Sequence, residues 1–317
     1  AAAFGLDIVT FGPDDLDAIA VPNPSTVVAS AVGTRSVAEA SALRAAGGGA
    51  TLVVPKTTTE RTTVAVARRR CRAGSLHIVG LGPGSASHRT PEAVTAVRHA
   101  EVVVGLDSYV DQCADLLSPA QEVHRLPLGA ELERARLALE LAAQGARVAL
   151  VCSGDAGVYA MASPVLDLLD SPDRSDLEVT VVPGVTAGLA SAALLGAPLG
   201  HDFLTISLSD LLTPWEIIEA RLEAAARTDL VVVVYNPRSR TRTWQLERAR
   251  SLLLEHRPET TPVGLVTDAD RPGQRVLVTT LGQLDCATAN MTTCLIIGSS
   301  QTRVRAGRMV TPRGYRT

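Results

Sequence analysis

Aromatic side chains are scarce in this chain: Phe, Tyr and Trp together make up 3% of its 317 residues. That argues against a platform of stacked rings for single-stranded nucleic acid, and it leaves the core to be assembled from Ala, Val and Leu. An excess of charge is also lacking. Lys and Arg number 30 against 33 Asp and Glu, a formal net charge of -3, so no global field draws the chain to nucleic acid or polyphosphate. Cys71, Cys113, Cys152, Cys286 and Cys294 are scattered without a C-x-x-C pair and read as reduced core residues. His77, His88, His99, His124, His201 and His256 never fall at i, i+4 or H-E-x-x-H spacing, which argues against a metal site. No apolar run reaches the roughly eighteen residues of a membrane span, and nothing resembles a secretory signal. These absences point to a cytoplasmic protein. The opening AAAFGLDIV lacks an initiator methionine, which suggests that the first domain is missing its front.

What is present is 46% hydrophobic and 20% charged, ordinary for a globular chain of more than one domain. Residues 1–70 read as a small α/β unit, with a helix over Ser36–Ala46 stopped by Gly47, Gly48 and Gly49, and strands over Thr51–Pro55 and Thr62–Ala67. Arg68, Arg69, Arg70 and Arg72 follow, and the stretch 71–75 reads as a solvated linker. From Leu76 onward strands alternate with helical stretches, which predicts a largely parallel sheet with covering helices. A lobe over 76–190 and a second over 191–317 complete the α/β architecture.

Several strands run into glycine- or proline-rich loops. The first, LHIVGLGPGS over Leu76–Ser85, brings Gly80, Gly82 and Gly84 to a strand end. A dinucleotide fingerprint would need glycine where Ser85 stands, which weakens a nucleotide reading. The others are Ser153–Gly157, Pro183–Ala187 and Asn236–Arg242. Ligands of α/β sheets collect outside strand carboxyl ends, so these loops predict a cleft. Ser153 follows Cys152 and Val151 and so misses the nucleophile-elbow pattern. Asp155, between glycines, can accept from a ribose or an ammonium group, or simply close an Asx-turn. Arg238, Arg240 and Arg242 suit bidentate binding of carboxylates, or solvation of an exposed loop.

The motifs GLGPG at 80–84, SGDAGVYAMA at 153–162, VVPGVTA at 181–187, LLGAPLGHDF at 194–203, SLSDLLTPWE at 207–216, YNPRSR at 235–240 and TPRGY at 311–315 resemble those of the tetrapyrrole methyltransferases. Within that family the GHDF, SLSDLLTPW and YNPRSR runs are most similar to the branch that methylates precorrin-3B at C17. The resemblance implies two α/β lobes and a homodimer. It further implies S-adenosylmethionine in a trough between the lobes and a tetrapyrrole in an adjoining cleft. By motif match, Pro83, Gly154, Asp155, Val158, Thr186, Ala187 and Asn236 would line the cofactor site, with Ala269 a weaker match. Ala156 departs from the family's usual proline. Residues 1–70, through VPNPS at 21–25, VGTRSVAEASAL at 32–43, Lys56 and TTVAVAR at 62–68, resemble part of the C-terminal domain of the cobalamin-biosynthesis lactone hydrolases. Other enzymes of that pathway are then candidate partners.

The implied reaction is C17 methylation coupled to ring contraction, with no metal required of the protein. Proton transfer during contraction makes His201, Asp202, Ser209 and Asp210 candidate catalytic residues, chosen for their closeness in sequence and their hydrogen-bonding capacity. Another corrin-ring methyltransferase, a nicotinamide-dependent reductase and a non-catalytic carrier of corrin intermediates are the alternatives.

Overall fold

A computed structural model describes residues 8–47, 50–68, 74–169 and 177–315. The chain divides into two compact units, one of Ala1–Ser75 with Glu140–Ala146 and Asp176–Glu178, the other of Leu76–Leu139, Arg147–Ser175 and Val179–Thr317. The opening through residue 7, Gly48, Gly49, Arg69, Arg70 and most of the predicted linker, including Cys71 and Arg72, lie outside the described residues.

The first unit contains helices α1 (Pro13–Asp17), α2 (Thr26–Val32) and α3 (Val37–Ala46), then an antiparallel hairpin of β1 (Thr51–Thr58) and β2 (Thr63–Arg68). β1 runs three residues past the predicted end at Pro55. Its extension is pinned by Glu39, whose Oε1 accepts from Lys56 N at 2.9 Å and from Asn23 Nδ2 at 2.8 Å. Burial acts to raise the Glu39 carboxyl, but these hydrogen bonds and the Lys56 charge outweigh it and hold the group below its usual range.

The second unit is built on two five-stranded sheets. Its first half runs β3 (Ser75–Gly80), α4 (Pro91–His99), β4 (Val102–Leu106), α5 (Asp107–Gln112), β5 (Glu122–Leu126), α6 (Glu131–Ala143), β6 (Arg147–Cys152), α7 (Ala162–Asp167) and β7 (Glu178–Val182). The strand order is β5-β4-β6-β3-β7, and β4 pairs in parallel with both β5 and β6. Interior strands β4 and β6 are buried along almost their whole length, which is why they read as unbroken apolar runs. α4 starts where Thr90 predicts it, with Thr90 Oγ1 accepting from Ala93 N at 3.1 Å and Pro91 in the first turn.

The second half runs α8 (Ala187–Leu195), β8 (Gly196–Ala197), β9 (Phe203–Ser207), α9 (Trp215–Arg227), β10 (Val231–Tyr235), α10 (Gln245–Leu254), β11 (Pro262–Thr267), β12 (Arg275–Thr280), β13 (Thr293–Ile297), β14 (Arg303–Arg305) and β15 (Arg308–Val310). The order β12-β11-β13-β10-β9 contains one parallel pair, β9 with β10, and is otherwise antiparallel. Within this sheet the predicted parallel character therefore holds only for β9 and β10, although β15 pairs in parallel with β8 in a small three-stranded sheet with β14. A parallel pair needs a crossover of about a dozen residues, and the turn from Thr267 to Arg275 is too short for one. Alternate valines of β10 serve opposite faces: Val231 and Val233 pack with Ala192 and Leu195 of α8, Val232 and Val234 with Leu222 of α9 and Leu246 of α10. Buried Arg257 fastens the far end of this sheet, donating to Gly298 O at 2.6 Å and to Ala225 O at 3.1 Å. Among the described residues no helix is long and apolar enough to cross a membrane.

Candidate functional site

The loops that end β3, β6 and β7 interlock through their backbones. Gly82 N donates to Gly154 O at 3.0 Å and Gly154 N to Gly82 O at 2.7 Å, while Leu81 N reaches Cys152 O at 2.8 Å. Glycine is required for this approach: a Cβ on Gly80 would stand 2.8 Å from Gly154 O, and one on Gly184 only 2.1 Å from it. Gly154 differs. Its φ is 70°, and the nearest atoms to an added Cβ are Thr186 Cα and Ala187 N, both at 3.8 Å, so a Cβ there would rest in ordinary van der Waals contact with the start of α8 without a clash. Asp155 closes the Asx-turn, with Oδ1 accepting from Gly157 N at 2.8 Å, and its Oδ2 accepts from Gly184 N at 3.0 Å. Ala156, in place of the family's usual proline, is fully buried and its carbonyl accepts from Ala162 N at 2.9 Å. The loop is held without the proline.

Thr186 occupies the N-cap of α8 without capping it, because its Oγ1 pairs instead with Tyr235 Oη at 2.6 Å. Gly188 N donates to the same Tyr235 oxygen at 2.6 Å. Tyr159, at φ 52°, lies with its ring centroid 5.3 Å from that of Tyr235 and donates its hydroxyl to Thr205 O at 3.2 Å. Burial pushes both phenols up, so they remain protonated at neutral pH. Of the first-turn amides of α8, Gly188 N is taken up by Tyr235 Oη and Leu189 N by Thr186 O, which leaves Ala187 N, 3.8 Å from a Cβ placed on Gly154, as the amide suited to a ligand carboxylate.

Side chains dominate the end of the second sheet. Asn236, at φ 50°, donates Nδ2 to Ser207 Oγ at 3.0 Å, and its carbonyl accepts from Arg242 Nε at 3.2 Å and Nη2 at 3.0 Å. Arg242 Nη1 reaches Ser209 Oγ at 3.4 Å, and Gln245 Nε2 donates to Asp210 Oδ2 at 2.9 Å. Burial disfavours the charge on Arg242, with the Asp210 carboxylate opposing. Arg238 turns back on its own loop, donating to Thr243 O at 2.7 Å, and Arg240 is exposed. The three arginines therefore do not form one clamp; Arg242 is the one tied to the strand ends.

The four candidate catalytic residues are not brought together. His201 and Asp202 precede β9, whereas Ser209 and Asp210 follow it. At about 3.3 Å per extended residue the two pairs stand about 20 Å apart. His201 Nδ1 accepts from Asp202 N at 2.8 Å, and both side chains are largely solvent-exposed. Closeness in sequence misleads here because an extended strand separates what a helix would keep together.

Pro83 is buried in the first glycine loop, and Val158 N donates to Asp155 O at 3.4 Å. Ala269 packs in the core beside Val266 and Cys294. Sequence reasoning missed Tyr159 and Tyr235, as well as Arg271, whose Nε donates to Pro83 O at 2.8 Å and Nη2 to Ser153 Oγ at 2.6 Å. Tyr235 reads from sequence only as the last residue of a buried strand. Its signal is the one polar tip in the run VVVVY.

These strand ends gather the loops of an α/β fold at one edge of each sheet, and the sequence comparison gives its family. Residues 75–285 match the Tetrapyrrole (Corrin/Porphyrin) Methylases, and the chain belongs to that family of methyltransferases. It is 47% identical over 240 residues to the probable cobalt-factor III C(17)-methyltransferase of Salmonella typhimurium, covering 76% of this chain and 99% of that protein. The precorrin-3B C(17)-methyltransferase of a Sinorhizobium species is 45% identical over 249 residues, covering 76% of this chain and 97% of that protein. The crystal structure of the methyltransferase CobJ superposes with a TM-score of 0.73 at 40% identity, covering 75% of this chain and 100% of that one. A uroporphyrin-III C-methyl transferase from Thermus thermophilus, complexed with S-adenyl homocysteine, gives 0.54 at 26% identity, covering 71% and 97%. Residues 1–67 match a separate family, Cobalamin synthesis G C-terminus, which here lies ahead of the methylase region.

Proposed function

We propose that this chain transfers the methyl group of S-adenosylmethionine to C17 of a precorrin-3B-type tetrapyrrole, metal-free or cobalt-bound, in cobalamin biosynthesis, with contraction of the macrocycle as the coupled event. The observation that carries the cofactor reading is the convergence of the glycine loops after β3, β6 and β7 beside the start of α8. The residues fit the cofactor. Ala187 N, at the N-terminus of α8, suits its carboxylate, and Gly154, Asp155 and Val158 lie in the neighbouring loop after β6. Pro83, Thr186, Ala187, Asn236 and Ala269 complete the proposed cofactor-binding set.

When bound, S-adenosylmethionine supplies an electrophilic methyl group on a sulfonium. The protein's tasks are alignment, exclusion of water and support of the changing charge. Arg242 is suited to a substrate carboxylate, because the acceptors it reaches, Asn236 O and Ser209 Oγ, are neutral. Ser209 and Asp210, at the ligand end of β9, remain the candidates for moving a proton during contraction. The lobes 76–190 and 191–317 are proposed as the bodies on either side of the cleft, in a cytoplasmic homodimer. The segment matching a cobalamin-synthesis family is proposed to place a second activity of the same pathway on one chain.

The test is equilibrium binding followed by turnover. Tight binding of S-adenosylhomocysteine with none of NADH supports the reading. Binding of NADH instead, or binding of tetrapyrrole without methyl transfer, contradicts it in favour of a reductase or a carrier.

A further inference from the structure

The turn joining β11 and β12 reaches from the second sheet to the loops of the first. Asp268 and Asp270 both adopt left-handed backbone, at φ 51° and 57°, uncommon for residues other than glycine. The turn is closed by Arg271 N donating to Asp268 O at 3.0 Å and Asp270 N donating to Gln274 Oε1 at 2.7 Å. From this fixed base Arg271 donates Nε to Pro83 O at 2.8 Å and Nη2 to Ser153 Oγ at 2.6 Å. Pro83 lies in the loop after β3 and Ser153 in the loop after β6, so a single guanidinium spans both. Gly84 permits the approach, since a Cβ there would meet Arg271 Cγ at 2.4 Å and Asp270 O at 2.7 Å. His88 Nδ1 and Asp270 Oδ2, 2.6 Å apart, form a second link across the same gap.

We propose that Arg271 is a positioning residue that sets the width of the cofactor trough, holding the Pro83 and Ser153 loops at one spacing against the β11–β12 turn. The inference rests on the reading of this cleft as the S-adenosylmethionine trough. Both acceptors of Arg271 are neutral, so its effect comes through the fixed fork of the guanidinium and not through neutralising a carboxylate. An ammonium has no such fork. Methyl transfer depends on placement, and a displacement of about 1 Å costs about a hundredfold in rate. A loosened trough therefore weakens cofactor binding before it touches the tetrapyrrole.

The experiment is calorimetric titration of the full chain with S-adenosylhomocysteine, beside KM for each substrate, in Arg271→Met, Arg271→Lys and Ser153→Ala. Arg271→Met is expected to raise the Kd for S-adenosylhomocysteine about tenfold, the scale of a lost hydrogen bond from a charged group. Arg271→Lys and Ser153→Ala should fall between it and the parent, and KM for the tetrapyrrole should stay unchanged. Circular dichroism melts establish folding. If Arg271→Met does not fold, the other two variants decide, and a graded loss of affinity is still required. Unchanged affinity in folded variants of a chain that binds S-adenosylhomocysteine overturns the clamp alone. So does a raised tetrapyrrole KM with intact cofactor affinity, which would make Arg271 a substrate anchor. Failure of the parent chain to bind S-adenosylhomocysteine overturns the cofactor reading and the clamp with it.

Discussion

The two sheets of the methylase region end in loops built of different materials. At the ends of β3, β6 and β7 the protein offers backbone: Gly82 and Gly154 bridged amide to carbonyl, Gly80 and Gly184 without room for a Cβ, and Gly154 with contact room for one. At the ends of β9 and β10 it offers side chains: Arg242 bonded to Ser209 Oγ and Asn236 O, Asn236 to Ser207 Oγ, and Tyr235 separately to Thr186. The difference teaches where each kind of change does harm. A backbone wall tolerates no added methyl, whereas a side-chain wall can lose one contact and keep its shape.

The largest effect should come from a methyl added to the backbone wall. Gly184→Ala, with its Cβ 2.1 Å from Gly154 O, should lose about 3 kcal/mol of stability in urea titrations. Gly154→Ala meets nothing closer than 3.8 Å and should lose only the left-handed backbone cost, about 1–2 kcal/mol. It should nevertheless weaken binding of S-adenosylhomocysteine about tenfold or more, because Gly154 belongs to the proposed cofactor-binding set. Equal damage to folding from both substitutions would erase the distinction between packing glycine and ligand glycine.

On the side-chain wall, Arg242→Met should raise KM for the tetrapyrrole about tenfold, the scale of one charged hydrogen bond, while the Kd for S-adenosylhomocysteine stays at the parent value. A loss of cofactor affinity instead would mean that the two walls are not separate. Next comes the contrast between the ends of β9. Asp210→Asn should slow ring contraction relative to methylation, read as an uncontracted methylated product by mass spectrometry. His201→Ala, at the other end of the strand, should leave both steps at parental rates.

The smallest effect concerns acid. Arg89 donates Nη1 to both oxygens of Asp115 at 2.8 Å, and that hydrogen bond holds the Asp115 carboxyl below its usual range. A depressed carboxyl contributes stability above its unfolded value, about 3.9, and loses it as pH falls through the folded value. Because Asp115 is more than half exposed, the contribution should stay under about 1 kcal/mol. Arg89→Met should remove this acid-dependent part of the melting curve, and unchanged acid sensitivity would show that the pair does not stabilise the first-sheet side.

Much of the fold was legible because its strands are apolar runs with sharp punctuation. VVVG at β4, RVALVC at β6 and VVVVY at β10 announce buried strands, and Thr90-Pro91-Glu92 announces a helix. β5, EVHRL, was missed because an edge strand with polar residues carries no such run. The antiparallel half of the second sheet was missed because strand spacing alone does not give direction. Its sign was the short Pro272-Gly273 turn where a crossover would need more chain. At the site, the glycine loops stood out by composition, but contacts such as Arg271 to Pro83 join residues far apart in sequence. No local pattern encodes them. His201 and Asp202 failed for the converse reason, being near Ser209 in sequence and distant along an extended strand.

The most direct test of the account is to supply the chain with S-adenosylmethionine carrying a labelled methyl and with precorrin-3B or its cobalt-bound counterpart, then locate the label by mass spectrometry and NMR. The account predicts one labelled methyl per macrocycle, at C17, on a contracted ring. A label at another ring carbon, or no transfer by a protein that binds S-adenosylhomocysteine and tetrapyrrole together, would contradict it.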